Sequence, residues 1–292
     1  MIVSSFRGVH YSLITITEQE FAVVRTTFDL QQNIVGTPYY VRDARPTHHD
    51  VVLRRTSAQT NLISAEAAGD VVQDFRPSFL ILLGTAGGYG GRDGLALGDV
   101  VVSDYVEFSG YWKYKADQII RRKIAHDHPS LYLRDNFVEP LRVTPTDWRP
   151  HVTQQRPTDG QSTIFIGEVV SGDVLLGDPD NTEQKRILDF FDKALAFEME
   201  AVGVARTMFK ARQTVAYNPQ FLVIRGISDL VNEDRAANQQ TRVAWTPYAV
   251  GAAAAVGRIL VERLLGSIKA RESADKSVLQ KIGGLFGVNV IN

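Results

Sequence analysis

The chain has 292 residues, long enough to bury a sizeable core as one large domain or two small ones. Its 32 basic and 33 acidic residues leave a net charge of −1, which offers no electrostatic case for nucleic acid or a membrane surface and favours a small-molecule partner. With no cysteine there are no disulfides, thiolate zinc sites or cysteine nucleophiles; no apolar run approaches the ~20 residues that span a bilayer, and Met1 to His10 lacks a signal-peptide layout, so the cytoplasm is the expected location.

In chain order, Val9 to Thr17 alternates apolar and polar residues and reads as a first strand. Thr17 followed three residues later by Glu20 is a capping box, opening a helix through Phe21, Val24 and Phe28. Capping is one role for Glu20; a place in a site is the other. Pro38 to Asp43 and Asp50 to Arg54 read as further strands, joined by a turn whose His48 and His49 have no metal-ligand spacing and are expected to be solvated. Asn61 to Phe75 has a helical apolar period and stops before Pro77.

Phe79 to Leu83 and Val100 to Val102 are short apolar runs flanking a stretch that holds seven glycines between Gly84 and Gly98, so a buried strand is expected to end at a small-residue floor. The spacing fits neither a dinucleotide fingerprint nor a phosphate loop. Two readings remain open for it: a shelf where backbone amides and the Thr85 hydroxyl meet a ligand, or a plain connection.

Tyr105 to Lys115 is strand-like, Arg121 to Lys123 reads as a solvated face or a cradle for phosphates, and Ser130 to Val138 as a short helix. Pro140 to Gly160 reads as an excursion over the surface. Ser162 to Val170 is a strand leading into Ser171, Gly172 and Asp173. A helix capped by Asn181 or Thr182 follows, then the apolar Ala194 to Phe197, which delivers Glu198, Met199 and Glu200 to the start of another helix. Phe221 to Ile227 is a strand ending at Ser228 and Asp229, and Trp245 to Leu265 is a long helix. The order favours an α/β fold with one domain, 1–267, carrying an insertion at about 105–161, and a tail, 268–292.

Polar clusters thus follow four apolar strands, the layout expected of an α/β active site. GTAGG (Gly84 to Gly88), LGDVVVSD (Leu97 to Asp104), VSGD (Val170 to Asp173), FEMEA (Phe197 to Ala201) and FLVIRGISD (Phe221 to Asp229) together resemble the signatures of the purine nucleoside phosphorylase superfamily, closest to its methylthioadenosine/S-adenosylhomocysteine nucleosidase branch. The resemblance implies a three-layer α/β/α sandwich around a central mixed sheet that cleaves the N-glycosidic bond of purine nucleosides, without metal or organic cofactor, usually as a dimer or hexamer.

It further implies that Asp229 protonates the departing base, Glu200 binds the ribose hydroxyls with Met199 against the sugar, and Glu20 positions or deprotonates the attacking water. Thr85, Ala86 and Gly87 would form the shelf below the sugar and Leu175 and Leu176 would hold the base, with Glu198 and Ser228 grouped among the substrate-binding residues. The chemistry is consistent, because an oxocarbenium-like sugar is stabilised by nearby negative charge and the departing base by an acid.

Phosphorylases in this superfamily are expected to place glycine and arginine after the first strand. Here Glu18 and Glu20 stand there, with Arg25 farther along the helix, so water is the expected nucleophile and phosphorolysis the alternative. Leu175 stands where an aromatic residue often stacks on the base, and the 105–161 stretch is long for a small nucleosidase. These departures resemble nucleosidase domains of effector proteins, some of which act on nucleotides such as ATP. A non-catalytic nucleotide-sensing module is a second class of reading.

Overall fold

The computed structural model describes residues 10–42, 50–116, 118–213 and 216–286; His48 and His49 lie outside them. The chain runs β1 (Tyr11–Thr15), α1 (Glu18–Thr27), β2 (Gln32–Asn33), β3 (Tyr39–Val41), β4 (Val51–Arg55), α2 (Asn61–Phe75), β5 (Phe79–Gly88), β6 (Val100–Phe108), β7 (Trp112–Lys115), β8 (Gln118–Arg121), α3 (Leu131–Leu133), α4 (Glu139–Val143), β9 (Ile164–Ser171), α5 (Thr182–Phe190), β10 (Ala194–Glu198), α6 (Ala201–Ala211), β11 (Gln220–Leu230) and α7 (Arg235–Phe286). Local signals set the helix ends. Both halves of the Thr17–Glu20 capping box form, Thr60 caps α2 before a left-handed Arg76 and Pro77 end it, and Asn181 caps α5.

Among the described residues, nine strands form one mixed sheet in the order β10-β9-β6-β11-β5-β1-β4-β3-β2, and β7 and β8 form a separate hairpin. Alternate residues of the central strands face opposite ways: Leu13, Ile81, Leu83, Leu222 and Ile224 pack with α1 and α7, while Ile14, Leu80, Leu82, Phe221 and Val223 pack with α2 and α6. Strand β10 pairs parallel to β9 and, at its far end, antiparallel to β5 through Ala196–Gly88 and Phe197–Gly87. That second pairing draws the start of α6 onto the glycines of β5.

The expected break after Leu83 does not occur. β5 continues through Gly84, Thr85, Ala86, Gly87 and Gly88 because β11 pairs with it along its whole length, from Gln220–Phe79 to Leu230–Gly88. The glycines are required by what crosses them: a Cβ at Gly84 would lie 2.5 Å from Arg225 Nη1 and 2.6 Å from Glu20 Oε1, and one at Gly87 would lie 2.7 Å from Val231 Cγ1.

One expectation is qualified and two change. Pro140 to Gly160 does run over the surface, with most of its residues exposed or half-buried, but it is pinned there by Leu141 and Trp148, fully buried in the α1–α7 core, and by Arg156, which donates to the Leu97 carbonyl and lies over the Trp245 ring. Arg121 is not solvated; it pairs with Glu107 and lies 4.7 Å from the centre of the Phe191 ring, whereas Arg122 and Lys123 are exposed. Helix α7 begins ten residues before Trp245 and passes through Gly266 to Phe286, because one glycine costs a helix only about 1 kcal/mol.

Two glycines make opposite predictions. At Gly226 a methyl group would overlap the Ala249 carbonyl oxygen on α7, so Gly226→Ala should destabilise by about 1–3 kcal/mol and lower the melting temperature by roughly 2–4 °C per kcal/mol. At Gly69, within α2, nothing lies within 4 Å, and Gly69→Ala should raise stability by about 0.5–1 kcal/mol. Thermal unfolding followed by circular dichroism reads both; an unchanged melting point for Gly226→Ala would mean that α7 does not seat on β11 as described.

Candidate active site

A cleft opens at the ends of β5, β9, β10 and β11, and it gathers Glu20, Thr85, Ala86, Gly87, Leu175, Leu176, Glu198, Met199, Glu200, Ser228 and Asp229 on one wall or another. Residues from five separate stretches of chain therefore share one space. Among the described residues, no group of three or more His, Cys, Asp or Glu is arranged to hold a metal ion.

At the floor lies Arg225, fully buried, one residue before the glycine that meets α7. Its Nη2 donates to Glu198 and, at 3.1 Å, to Glu200 Oε2. Its Nε and Nη1 are buried with no partner among the described residues, and Nη1 points toward the space above Gly84. Glu198 also accepts from the amides of Glu200 and Ala201, capping α6 in place of Glu200. So Glu198 holds the turn that presents Met199 and Glu200, and its own contact with a ligand is secondary.

Glu20 performs both of the roles that its sequence position allows. Oε2 accepts from the amides of Ile16 and Thr17 at 3.1 and 2.9 Å, closing the cap, while Oε1 accepts from Thr85 N at 2.7 Å and Thr85 Oγ1 at 3.0 Å, inside the cleft. A carboxylate has about four acceptor positions. Only the Thr85 hydroxyl, which can rotate, is free to yield its place to a ligand or water.

Glu200 is buried with Glu20, Glu198 and a single guanidinium. Its pKa is raised, first by burial and then by the charge on Glu198, with Arg225 opposing and Glu20 adding to the shift. Asp229, also buried, accepts from Ser228 Oγ at 2.7 Å on Oδ1 and from Arg242 Nη2 at 2.8 Å on Oδ2. Arg242 lies on α7 and forms part of the cleft wall. Leu176 is buried against Val231 and Phe197, whereas Leu175 and Val174 stand 62% exposed at the lip.

Sequence reasoning missed three groups. Arg225 was visible within FLVIRGISD but carried no signal of its own depth. Arg242 sits thirteen positions past Asp229 in a helix, where an arginine reads as surface. Asn61 is the third: its side-chain amide and backbone N–H donate to Asp173 Oδ1, and its Oδ1 accepts from Ser171 Oγ and Gly203 N. Ser64 adds a 2.7 Å hydrogen bond to the Glu200 carbonyl. Asp173 thus ties the loop after β9 to α2 and does not face the cleft.

The raised pKa of Glu200 gives a pH prediction. The fold favours its neutral form, so the contribution to stability is complete below the ordinary glutamate range and is lost as pH rises through the raised value. Glu200→Gln stays neutral throughout, and its melting temperature relative to the wild type should climb between about pH 5 and about pH 9. A difference that is flat across that range would count against the burial of this charge.

Residues 34–263 match the family model described as the phosphorylase superfamily. A 5′-methylthioadenosine/S-adenosylhomocysteine nucleosidase of Listeria innocua is 27% identical over 229 residues, covering 76% of this chain and 87% of that protein; one of a Marinomonas species is 28% identical over 229 residues, covering 76% and 86%. Among solved structures, the nucleosidase of the same kind from S. pneumoniae, bound to a transition-state inhibitor, aligns with a TM-score of 0.63 at 21% identity over 87% of this chain and 99% of that one. The futalosine hydrolase of Helicobacter pylori aligns with a TM-score of 0.65 at 15% identity over 88% and 98%. With the family model running from before the strand that carries Thr85 to beyond the one that carries Asp229, the chain belongs to the phosphorylase superfamily.

Proposed function

We propose that this protein is a nucleosidase that hydrolyses the N-glycosidic bond of a purine nucleoside or nucleotide and releases the free base. Methylthioadenosine- or adenosylhomocysteine-like compounds are the first substrates to consider, as the names of the relatives suggest, with adenine nucleotides as the second class. The observation that carries the reading is the convergence of Glu20, Glu200 and Asp229 on one cleft above Gly87. The catalytic unit is taken as the α/β/α domain through residue 267, supported by the helix-packed cores on both sheet faces, with 268–292 as its tail.

In this reading the sugar lies over Thr85, Ala86 and Gly87, its hydroxyls donate to Glu200, and the base lies toward Asp229, Ser228 and Leu176. Hydroxyl donors favour the charged form of Glu200, so substrate binding offsets the burial that raises its pKa in the free protein. Water attacks C1′ as the bond from C1′ to the ring nitrogen breaks. One water proton passes to Glu20 once the Thr85 hydroxyl has turned aside, and the bond electrons leave on the purine, which takes a proton that Asp229, paired with Arg242 before the base arrives, relays from solvent. Negative charge from Glu20, Glu198 and Glu200, only partly offset by Arg225, stabilises the cationic sugar between these events.

Phosphate fits this floor poorly. Arg225 shares its Nη2 between two glutamates and its Nη1 lies beside a third, Glu20, at Gly84, Arg25 lies against the rings of Phe21 and Tyr40, and Arg55 pairs with Glu18. Three carboxylates line the path a phosphate would take.

A cytoplasmic homodimer or larger oligomer accompanies the reading, with the exposed Val174 and Leu175 as the apolar lip that a second copy would cover. Light scattering after size exclusion should give at least twice the 32.4 kDa chain mass; a monomer at micromolar concentration would remove this part.

Chromatography of nucleoside and nucleotide mixtures, with and without phosphate, tests the function. Free base should appear in phosphate-free buffer, and Asp229→Asn should lower turnover by about 10²–10⁴-fold while ligand still binds. Sugar phosphate formed only when phosphate is present would replace hydrolysis with phosphorolysis, and ligand binding without turnover in the wild type would make the protein a sensor.

A further inference from the structure

The basic residues Arg121 to Lys123 have no part in the scheme above. They close the β7–β8 hairpin and begin the chain that leaves it. One face of this hairpin is fastened to the body of the protein: the Trp112 ring meets Phe190 edge-on at 5.0 Å and lies beneath Arg186, and Arg121, opposite Trp112 in register, pairs with Glu107 over the Phe191 ring. Side chains alternate along a strand, so Tyr111 and Lys113 turn the other way, and both are exposed.

Lys113 pairs with Ile120, and two positions on from Ile120 the amide of Arg122 donates to the Tyr111 carbonyl. Lys113 and Arg122 are therefore diagonal neighbours, about 7–8 Å apart and within joint reach of one ligand. With Tyr111, Trp112 and Lys123 they line a hollow of about 470 Å³. Arg122 and Lys123 also line a second, of about 370 Å³, which His126 and His128 share. Its wall is held in place, because both ring nitrogens of His126 lie 2.9 Å from backbone carbonyl oxygens and the His128 ring stacks on Tyr105 at 4.4 Å. Neither hollow shares a lining residue with the cleft.

The charge of these walls is unbalanced. Elsewhere Arg55, Arg142, Arg186, Arg258 and Arg263 each meet a carboxylate. Among the described residues Lys113, Arg122 and Lys123 meet none, and the one carboxylate on either hollow, Glu107, is committed to Arg121. Like charges gathered this way repel one another, and a bound anion removes the repulsion.

We propose that Lys113, Arg122 and Lys123 form a binding site, separate from the cleft, for a chain of two or more linked phosphates. A guanidinium grips phosphate oxygens in pairs, and lysines add point charges beside it. Two hollows meeting at Arg122 and Lys123 suit an extended anion better than a single phosphate, which would fill only one. A net charge of −1 over the whole chain adds no field to hold the long backbone of a nucleic acid. Such phosphates have two sources: a free polyphosphate compound, or the tail of a nucleotide whose sugar lies in the cleft. The second is within reach, because Ser109 on the cleft wall precedes Lys113 by four positions, at most about 14 Å of extended chain. A merely solvated face is the competing account, and it predicts a weak attraction that any exposed lysine would share.

Calorimetric titration of the intact protein with inorganic tripolyphosphate and with orthophosphate, at physiological ionic strength, tests the site. Tripolyphosphate should bind on the order of tenfold or more tightly than orthophosphate, and Arg122→Ser combined with Lys123→Ser should remove that advantage, while Lys193→Ser, at another exposed position, leaves it unchanged. Equal binding of the two anions, or an equal loss in the Lys193 variant, overturns the inference. Base release from ATP and from adenosine separates the sources. A KM for ATP raised about tenfold in the double variant, with adenosine unaffected, assigns the site to the nucleotide's tail. Unchanged turnover of both, with tripolyphosphate still binding while adenine fills the cleft, assigns it to a free polyphosphate. Selective tripolyphosphate binding with no base released from any nucleoside or nucleotide would keep this site and end the nucleosidase reading.

Discussion

Arg225 is buried to zero exposure and donates to Glu198 and Glu200 while a third carboxylate, Glu20, faces it across Gly84. One cation cannot neutralise three acids in a low-dielectric interior, and burial first, with that imbalance second, raises the pKa of Glu200. Breaking a buried charge pair by removing one partner typically costs about 3–5 kcal/mol. The site therefore carries fold-level weight: the same guanidinium that anchors β11 to the β10–α6 turn also sets the charge that a bound sugar would meet. Such excess negative charge opposes folding and favours a cationic transition state.

Backbone closeness makes this concentration possible. β5 passes through its glycines paired with β11, whose register slips by one residue at Ser228 between Ile227–Ala86 and Asp229–Gly87, and β10 turns back to pair with its end. Without side chains at 84 and 87, Glu20 reaches in from α1, Asp229 from β11, and Glu200 from the start of α6. The polar ties of Asn61 hold the other side, joining α2, the loop after β9 and α6 through one amide side chain. A local change at Asn61 or Gly84 would thus move residues distant in sequence.

Much of the fold was legible because its signals are local. The capping box at Thr17, the period of α2 and the apolar runs of β5, β9 and β11 depend on neighbours within a few residues, and each formed where expected to within a few positions. The errors were at places governed by distant partners. β5 outlasted its apolar run because β11 lay beside it, and Pro140 to Gly160, though mostly on the surface, was pinned because Trp148 found the α7 core. Polar composition cannot announce such a partner. Glu20 lies outside the span matched by the family model, so its place in the site rests on its hydrogen bonds to Thr85.

By itself, then, the order of residues determined that an α/β chain places acids after its strands, and which acids those are, since strand ends and helix starts are short-range features. Only the tertiary structure decided their company. That Glu200 shares its cation with Glu198, that Glu20 spends its oxygens on Thr85 and its own cap, and that Asp229 meets Arg242 from a helix thirteen residues onward all depend on side-chain approach across the sheet. Protonation and hydrogen-bond direction follow from those distances, which no periodicity in the sequence encodes.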